Sequence, residues 1–264
     1  MRKIAFFDLD GTITSEIDGE IPQSTIDSIK KAREKGNLMY VNTGRSFNNI
    51  DQRFHNIGWD GYVCGCGTHI ICEGREILYK TLPRNIIEEI VNSARECKMD
   101  LLFESKTCIY FDMFRPLSHP EAIEIYNGLL KTDCNMNVDL ASPDFAADKF
   151  CVWLTKDSDL EKFRKVSDKY FQCINRYDTF KEFVPFGFSK ATGIQTVLDF
   201  YKIPIENSYA FGDSNNDLPM LTYVPNSIAM GNSVPESIFE LVSYKTAKAS
   251  EHGIEQALKH FRFI

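Results

Sequence analysis

Asp8 and Asp10 stand two residues apart, straight after the apolar run Ile4-Ala5-Phe6-Phe7, and Gly11-Thr12 follow them. Carboxylates at the end of a buried strand are costly unless a cation or a phosphorylated ligand shares the place. On a straight strand both side chains project from one face. Two like charges so close repel unless a metal ion or a proton separates them. A second acidic cluster repeats the pattern, with Tyr209-Ala210-Phe211 leading into Gly212-Asp213-Ser214-Asn215-Asn216-Asp217. Turns favour Asp, Asn and Gly, so either cluster taken singly reads equally well as a loop. Two clusters after two matched apolar runs point instead to a shared site for a hard cation. Such an ion takes carboxylate oxygens, water and substrate phosphate.

These acids need strands that end side by side, and the apolar pattern supplies them. After the first strand, Ile26, Ile29 and Ala32 recur at helical spacing and Gly36 stops the helix. Leu38-Met39-Tyr40-Val41 reads as a second buried strand. Phe47, Ile50, Phe54 and Ile57 then fall on one helical face, closed by Gly58. Tyr62-Val63-Cys64 reads as a third strand, and a hairpin turns at Glu73-Gly74-Arg75. Repeated strand-helix units imply a parallel sheet with right-handed crossovers.

The style changes at Pro83. Helical stripes at 86–94, 119–130 and 160–166 alternate with strands at 101–104, 108–113, 149–154, 172–176 and 180–184, the rhythm of an α+β module. From Lys190 the alternating style returns. Ile194, Val197, Leu198 and Tyr201 stripe a helix, and a short helix at 218–221 follows the second acidic cluster. A strand at 228–230, a helix near 235–239, a strand at 241–244 and a helix at 253–261 complete the pattern. The expected class is α/β, a Rossmann-like parallel sheet core with helices on both faces plus an inserted α+β cap domain. The core takes 1–83 and 186–264, and the insert takes 84–185.

At 264 residues the chain can bury a large core. Its 30 basic against 37 acidic side chains give a net charge of −7, which argues against nucleic acid as a partner. A metal ion and a lysine can still make one site attractive to an anion. No apolar run approaches the roughly 18 residues of a spanning helix, so no membrane partner is expected, and the four apolar residues after Met1-Arg2-Lys3 are too short a run for the apolar region of a signal peptide. A cytoplasmic protein is expected, with its eight cysteines as reduced thiols. Cys64-Gly65-Cys66 is too close for a zinc knuckle and has no second pair to match it.

Asp8-Leu9-Asp10-Gly11-Thr12, Thr43-Gly44-Arg45, Lys190 and the Gly212–Asp217 run resemble the four ordered motifs of the haloacid dehalogenase superfamily. The long gap between the second and third is similar to its Cof-type phosphatase branch with a type-2 cap. The resemblance spans nearly the whole chain, and it implies a Mg²⁺-dependent phosphatase acting on a small phosphorylated metabolite such as a sugar phosphate or a cofactor-like phosphomonoester. Asp8 is then the nucleophile, since carboxylates can form aspartyl phosphates. Asp10 protonates the leaving oxygen and later takes a proton from water. The family pattern puts the Asp10 backbone carbonyl on Mg²⁺ beside the Asp8 and Asp213 carboxylates. It places Asp217 as an outer or water-mediated ligand and Asn216 near the phosphoryl group.

The remaining residues read less singly. The Thr43 hydroxyl and neighbouring N–H groups suit phosphate oxygens, and Gly44 lets the backbone come close; an ordinary helix cap uses the same residues. Arg45 serves equally as a substrate contact or as a solvated side chain. Lys190, read as sitting at a helix start, opposes the helix dipole unless an anion faces it; the resemblance supplies Asp8 and the transferred phosphate. One departure stands out. Where family members often carry Asn-Gly after the third strand, this chain has Cys66-Gly67-Thr68, which leaves the particular substrate open. A phosphomutase with the same aspartyl chemistry is the alternative enzyme, and an idle binding protein on this fold is the alternative outside catalysis. The expected assembly is a monomer or a homodimer.

Overall fold

A computed structural model describes residues 2–132, 134–136 and 139–264. The chain divides into two compact units. The first comprises Met1–Gly44, Ile50–Leu78 and Ser189–Ile264, and the second Arg45–Asn49 and Tyr79–Phe188.

The first unit is built on an eight-stranded sheet. Its strands are β1 (Ile4–Phe7), β2 (Leu38–Asn42), β3 (Gly61–Cys64), β4 (His69–Cys72) and β5 (Arg75–Tyr79), with three more after the second unit. The second unit contributes β6 (Asp100–Glu104), β7 (Ile109–Phe111), β8 (Lys149–Trp153), β9 (Phe171–Tyr177) and β10 (Phe180–Pro185). The chain then returns with β11 (Ser208–Ser214), β12 (Asn226–Val234) and β13 (Tyr244–Lys245). The first sheet runs β13-β12-β11-β1-β2-β3-β4-β5. Its pairs from β13 to β3 are parallel and β4 turns back antiparallel on β3. β1 therefore lies centrally, flanked by β2 and β11, and all four residues of β1 are buried.

Alternation along the strands explains the two covered faces. Ile4, Phe6, Leu38 and Tyr40 pack with Ile194, Val197 and Leu198 and with Met220 and Leu221. Those partners come from two helices that follow the second unit, Lys190–Tyr201 and Leu218–Tyr223. Phe7 points the other way, stacked on Phe211 at 4.4 Å between ring centroids and lying 5.7 Å from Trp59. Helices Gln23–Glu34 and Gly253–His260 touch each other, with Ile29, Ala32, Ile254 and Ala257 buried. Each fully buried Phe contributes about 1.5–3 kcal/mol, enough to let a few charged groups be held at the strand ends.

The second unit is an antiparallel sheet in the order β7-β6-β8-β10-β9. Helices Arg84–Glu96 and Leu160–Ser167 bury Ile87, Ile90, Val91 and Phe163 against Leu101, Phe103, Phe150, Val152 and Phe183. Leu102, Phe111, Cys151 and Trp153 form a separate cluster with Ala122 of helix Pro120–Leu129.

Three expectations need correction. The stripe at 47–57 is not one helix: a 3-10 turn at Phe47–Asn49 is followed by the single helical turn Gln52–His55, whose N-cap Asp51 accepts from Arg53 N. The segment near 235–239 is a 3-10 turn, Glu236–Glu240. The strand expected at 241–244 shrinks to Tyr244–Lys245, which pairs only with β12 at the sheet edge. All eight cysteines are free thiols, six of them buried. No helix among the described residues is long and apolar enough to cross a membrane.

Candidate active site

The site forms where β1 and β11 end side by side. Asp8 N still donates to Phe211 O at 3.0 Å, so the parallel ladder carries one residue past β1 and fixes the nucleophile candidate's backbone. The chain then turns tightly, with Leu9 O accepting from the N–H groups of Thr12, Ile13 and Thr14 at 3.3, 2.9 and 3.1 Å. Gly11 sits in this turn at φ +77°, and a Cβ there would collide with the Asp213 carboxylate. Only glycine satisfies both conditions. At Gly212 a Cβ would come within 2.6 Å of the Asp217 Cβ. These two glycines let the acidic loops close on one another.

Asp8, Asp213 and Asp217 each offer a carboxylate oxygen, and these atoms lie within 4.8 Å of one another. Lys190, fully buried, reaches two of them: its Nζ donates to Asp8 Oδ1 and to Asp217 Oδ1, each at 2.5 Å. Lys190 is the first residue of its helix, behind a capping box in which Ser189 and Thr192 exchange side-chain and backbone bonds. Asn42 at the end of β2 donates to Lys190 O at 3.0 Å, and its own Oδ1 is buried with no hydrogen-bond partner among the described residues. Asp217 Oδ2 accepts the N–H groups of Asp213 at 2.9 Å and Ser214 at 3.1 Å. Thr12 Oγ1 donates to Asp213 Oδ1 at 2.9 Å.

Crowding shows in the proton affinities. Burial first, then the Asp217 charge, pushes Asp8 up to about 7, against the pull of Lys190. Burial, then Asp217 and Asp8, pushes Asp213 up to about 8. Burial opposes the Lys190 charge, yet Asp217 and Asp8 outweigh it and hold the lysine above its ordinary value. Ionised together, three carboxylates facing one ammonium would leave two negative charges uncompensated. An all-oxygen donor set with that surplus fits a hard divalent cation.

The expected residues fall in several places. Asp8, Lys190, Asp213 and Asp217 come together. The strand stops at Phe7, so Asp8 and Asp10 both lie past it: Asp8 is buried, and Asp10 lies exposed in the turn. Asp10 still adds to the charge that Asp8 feels. Asn216 is buried, and its Oδ1 accepts from Ser214 Oγ. Thr43 is buried at the end of β2, its N–H on Val63 O at 2.9 Å, and Gly44 follows half-buried. Arg45 belongs to the second unit and donates from Nη1 to Asn49 O at 3.2 Å. Cys66 occupies a left-handed turn at φ 55°, with its N–H on Thr43 O at 3.1 Å. Roles for Thr12, Asn42 and Asn232 were not legible from spacing, since each acts through hydrogen bonds to residues far away in the chain. An amide just past the apolar run Ile228-Ala229-Met230 is the one signal that marked Asn232, in the way acids after apolar runs marked Asp8 and Asp213.

A parallel sheet whose central strand ends gather acids around a buried lysine has the build of an α/β enzyme, with its site at the carboxyl edge. The family profile described as haloacid dehalogenase-like hydrolase matches residues 5–258. YkrA of Bacillus subtilis (strain 168), whose name gives a phosphatase activity provisionally, is 30% identical over 99% of this chain and 98% of its own. The 5-amino-6-(5-phospho-D-ribitylamino)uracil phosphatase YitU of the same organism is 25% identical over 96% and 95%. A solved phosphatase of the haloalkanoate superfamily from Bacteroides thetaiotaomicron superposes with a TM-score of 0.83 at 25% identity, covering 100% of this chain and 96% of that one. This chain belongs to the haloacid dehalogenase-like hydrolase family. It is an enzyme, a phosphatase by class.

Proposed function

We propose that the chain is a Mg²⁺-dependent phosphatase that passes a phosphoryl group from a small phosphorylated metabolite through Asp8 to water. One observation carries the reading: Asp8 is a buried carboxylate at the end of the central strand, held by Lys190 beside two further acids, with Asp10 two residues along in the same turn. An Asp8 oxygen attacks phosphorus, the bond to the leaving oxygen breaks, and Asp10 gives that oxygen its proton. Asp10 then takes a proton from water as the water oxygen attacks the same phosphorus, and the Asp8–phosphorus bond breaks. Lys190 keeps Asp8 charged against burial and faces the phosphoryl oxygens. Thr43, Gly44, Arg45 and Asn216 are the proposed phosphate contacts. Mg²⁺, held by Asp8, Asp213 and the Asp10 carbonyl with Asp217 in support, would supply the charge that lets carboxylate and phosphate approach.

We assign 1–83 and 186–264 as the phosphatase core and 84–185 as the cap that selects the leaving group. The switch from a parallel to an antiparallel sheet supports that division. The substrate in the YitU name, a phosphorylated ribityl compound, supports a small phosphomonoester. The test is phosphate release from a panel of phosphorylated sugars, nucleotides and cofactor precursors. Turnover is expected with Mg²⁺ and none after exhaustive chelation; turnover that survives chelation contradicts the metal assignment.

A further inference from the structure

We infer that Asn232 is a positioning residue for the catalytic loop, which rests on the reading of Asp8, Asp10 and Asp213 given above. Asn232 lies in the last part of β12, next to β11 in the sheet. Its amide makes two bonds in opposite directions. Nδ2 donates to Gly11 O at 2.7 Å, and Oδ1 accepts from Ala249 N at 3.1 Å.

The Gly11 carbonyl belongs to the peptide that links Gly11 to Thr12. On one side of that peptide is the glycine whose missing side chain makes room for the Asp213 carboxylate. On the other is Thr12, whose hydroxyl holds Asp213 Oδ1 at 2.9 Å. A glycine rotates freely, so its close approach to Asp213 needs an outside constraint. Gly11 N donates to Thr14 Oγ1 at 3.1 Å, which anchors the loop to itself. Asn232 anchors it to the sheet. Fixing this one peptide sets both the Thr12 hydroxyl that aims Asp213 and the turn that presents Asp10.

The neighbourhood supplies its own control. Glu16 joins the same 249–251 turn through Ser250, accepting from Ser250 N at 3.2 Å and Ser250 Oγ at 2.5 Å. That tie is exposed, and it does not touch Gly11. If Asn232 served only to hold the turn, removing the Ser250 hydroxyl, the shorter of the two bonds to Glu16, would lower activity as well.

The experiment compares wild type, Asn232→Ala, the isosteric Asn232→Asp and Ser250→Ala. Partners of metal-holding groups typically cost about 10–100-fold in affinity or activity when removed. Asn232→Ala is expected to lower kcat by about that factor with little change in the substrate KM. Its calorimetric Mg²⁺ affinity, measured without substrate, should weaken in step. Asn232→Asp keeps the shape and loses the donor, so it should do no better than alanine; it decides the matter if the alanine variant does not fold. Ser250→Ala should stay within about twofold of wild type, well short of the 10–100-fold loss. A folded Asn232 variant with wild-type kcat and Mg²⁺ affinity overturns the inference alone, as does an equal loss in Ser250→Ala. A wild type that releases no phosphate with Mg²⁺ overturns the functional reading and this inference with it.

Discussion

Each unit of this protein buries a lysine between two carboxylates, and the two triads have opposite characters. In the first unit Lys190 bridges Asp8 and Asp217 at strand ends. In the second, Lys149 at the start of β8 meets Glu104 on β6 and Glu182 on β10, the latter at 2.6 Å. Arg176 Nη1 lies 3.6 Å from Glu182, so among the described contacts two acids there meet two cations. The Lys190 triad has no such second cation within its unit among the described contacts, and Asp213 adds a third acid. Burying a closed set of charges is close to neutral for stability. Burying an open one works against folding, and it raises Asp8 and Asp213 far above the ordinary carboxylate range. Surplus charge at the carboxyl edge of a parallel sheet is what distinguishes the unit proposed to be catalytic. Buried ion pairs as such do not.

The sharpest way to break this comparison is to remove one acid from each triad. Asp8→Asn should lower phosphate release at least about a thousandfold, the loss of roughly 4 kcal/mol of transition-state stabilisation. The same change should raise the stability of the metal-free protein at neutral pH, because a charge that the fold disfavours is gone. Glu182→Gln opens a closed set and should destabilise by on the order of 3 kcal/mol. Urea denaturation of the two variants checks the opposite signs. Equal losses of stability in both would show that the Lys190 triad is as structural as the other.

A smaller effect sharpens the same contrast. Asp8 and Asp213 bind protons more tightly folded, at about 7 and about 8, than the ordinary 3.8 of an exposed aspartate. Their contribution to metal-free stability is full below about pH 4 and is lost as pH rises through about 7 to 8. Mg²⁺ bound as proposed would compete with those protons for the same oxygens. The rise in Tm on adding Mg²⁺ should therefore be small at pH 5 and larger at pH 8, by on the order of 5 °C. A rise equal at both pH values would mean the ion binds elsewhere.

Much of this is legible in the sequence. The apolar runs before Asp8 and Asp213 located two neighbouring strand ends, because a buried parallel strand is a short unbroken apolar stretch and its ligand edge is polar. The change of style at Pro83 marked the second sheet. Local pattern misled where tertiary contacts decided. The stripe from Phe47 to Ile57 has helical spacing, but Asp51 starts a new cap inside it and splits it. Asp8 and Asp10 have strand spacing, but the strand ends at Phe7 and a turn around Leu9 O follows. Thr12, Asn42 and Asn232 make side-chain bonds to residues 148 to 221 positions away, which no periodicity records.

The central claim is that Asp8 carries the phosphoryl group. Mixing enzyme, Mg²⁺ and a turned-over phosphomonoester, then quenching with borohydride, reduces any acyl phosphate to an alcohol that mass spectrometry can place. The account predicts homoserine at position 8, formed only with substrate and Mg²⁺ and absent from Asp8→Asn. Steady phosphate release with position 8 unmodified, or with the reduced residue found elsewhere, would contradict it.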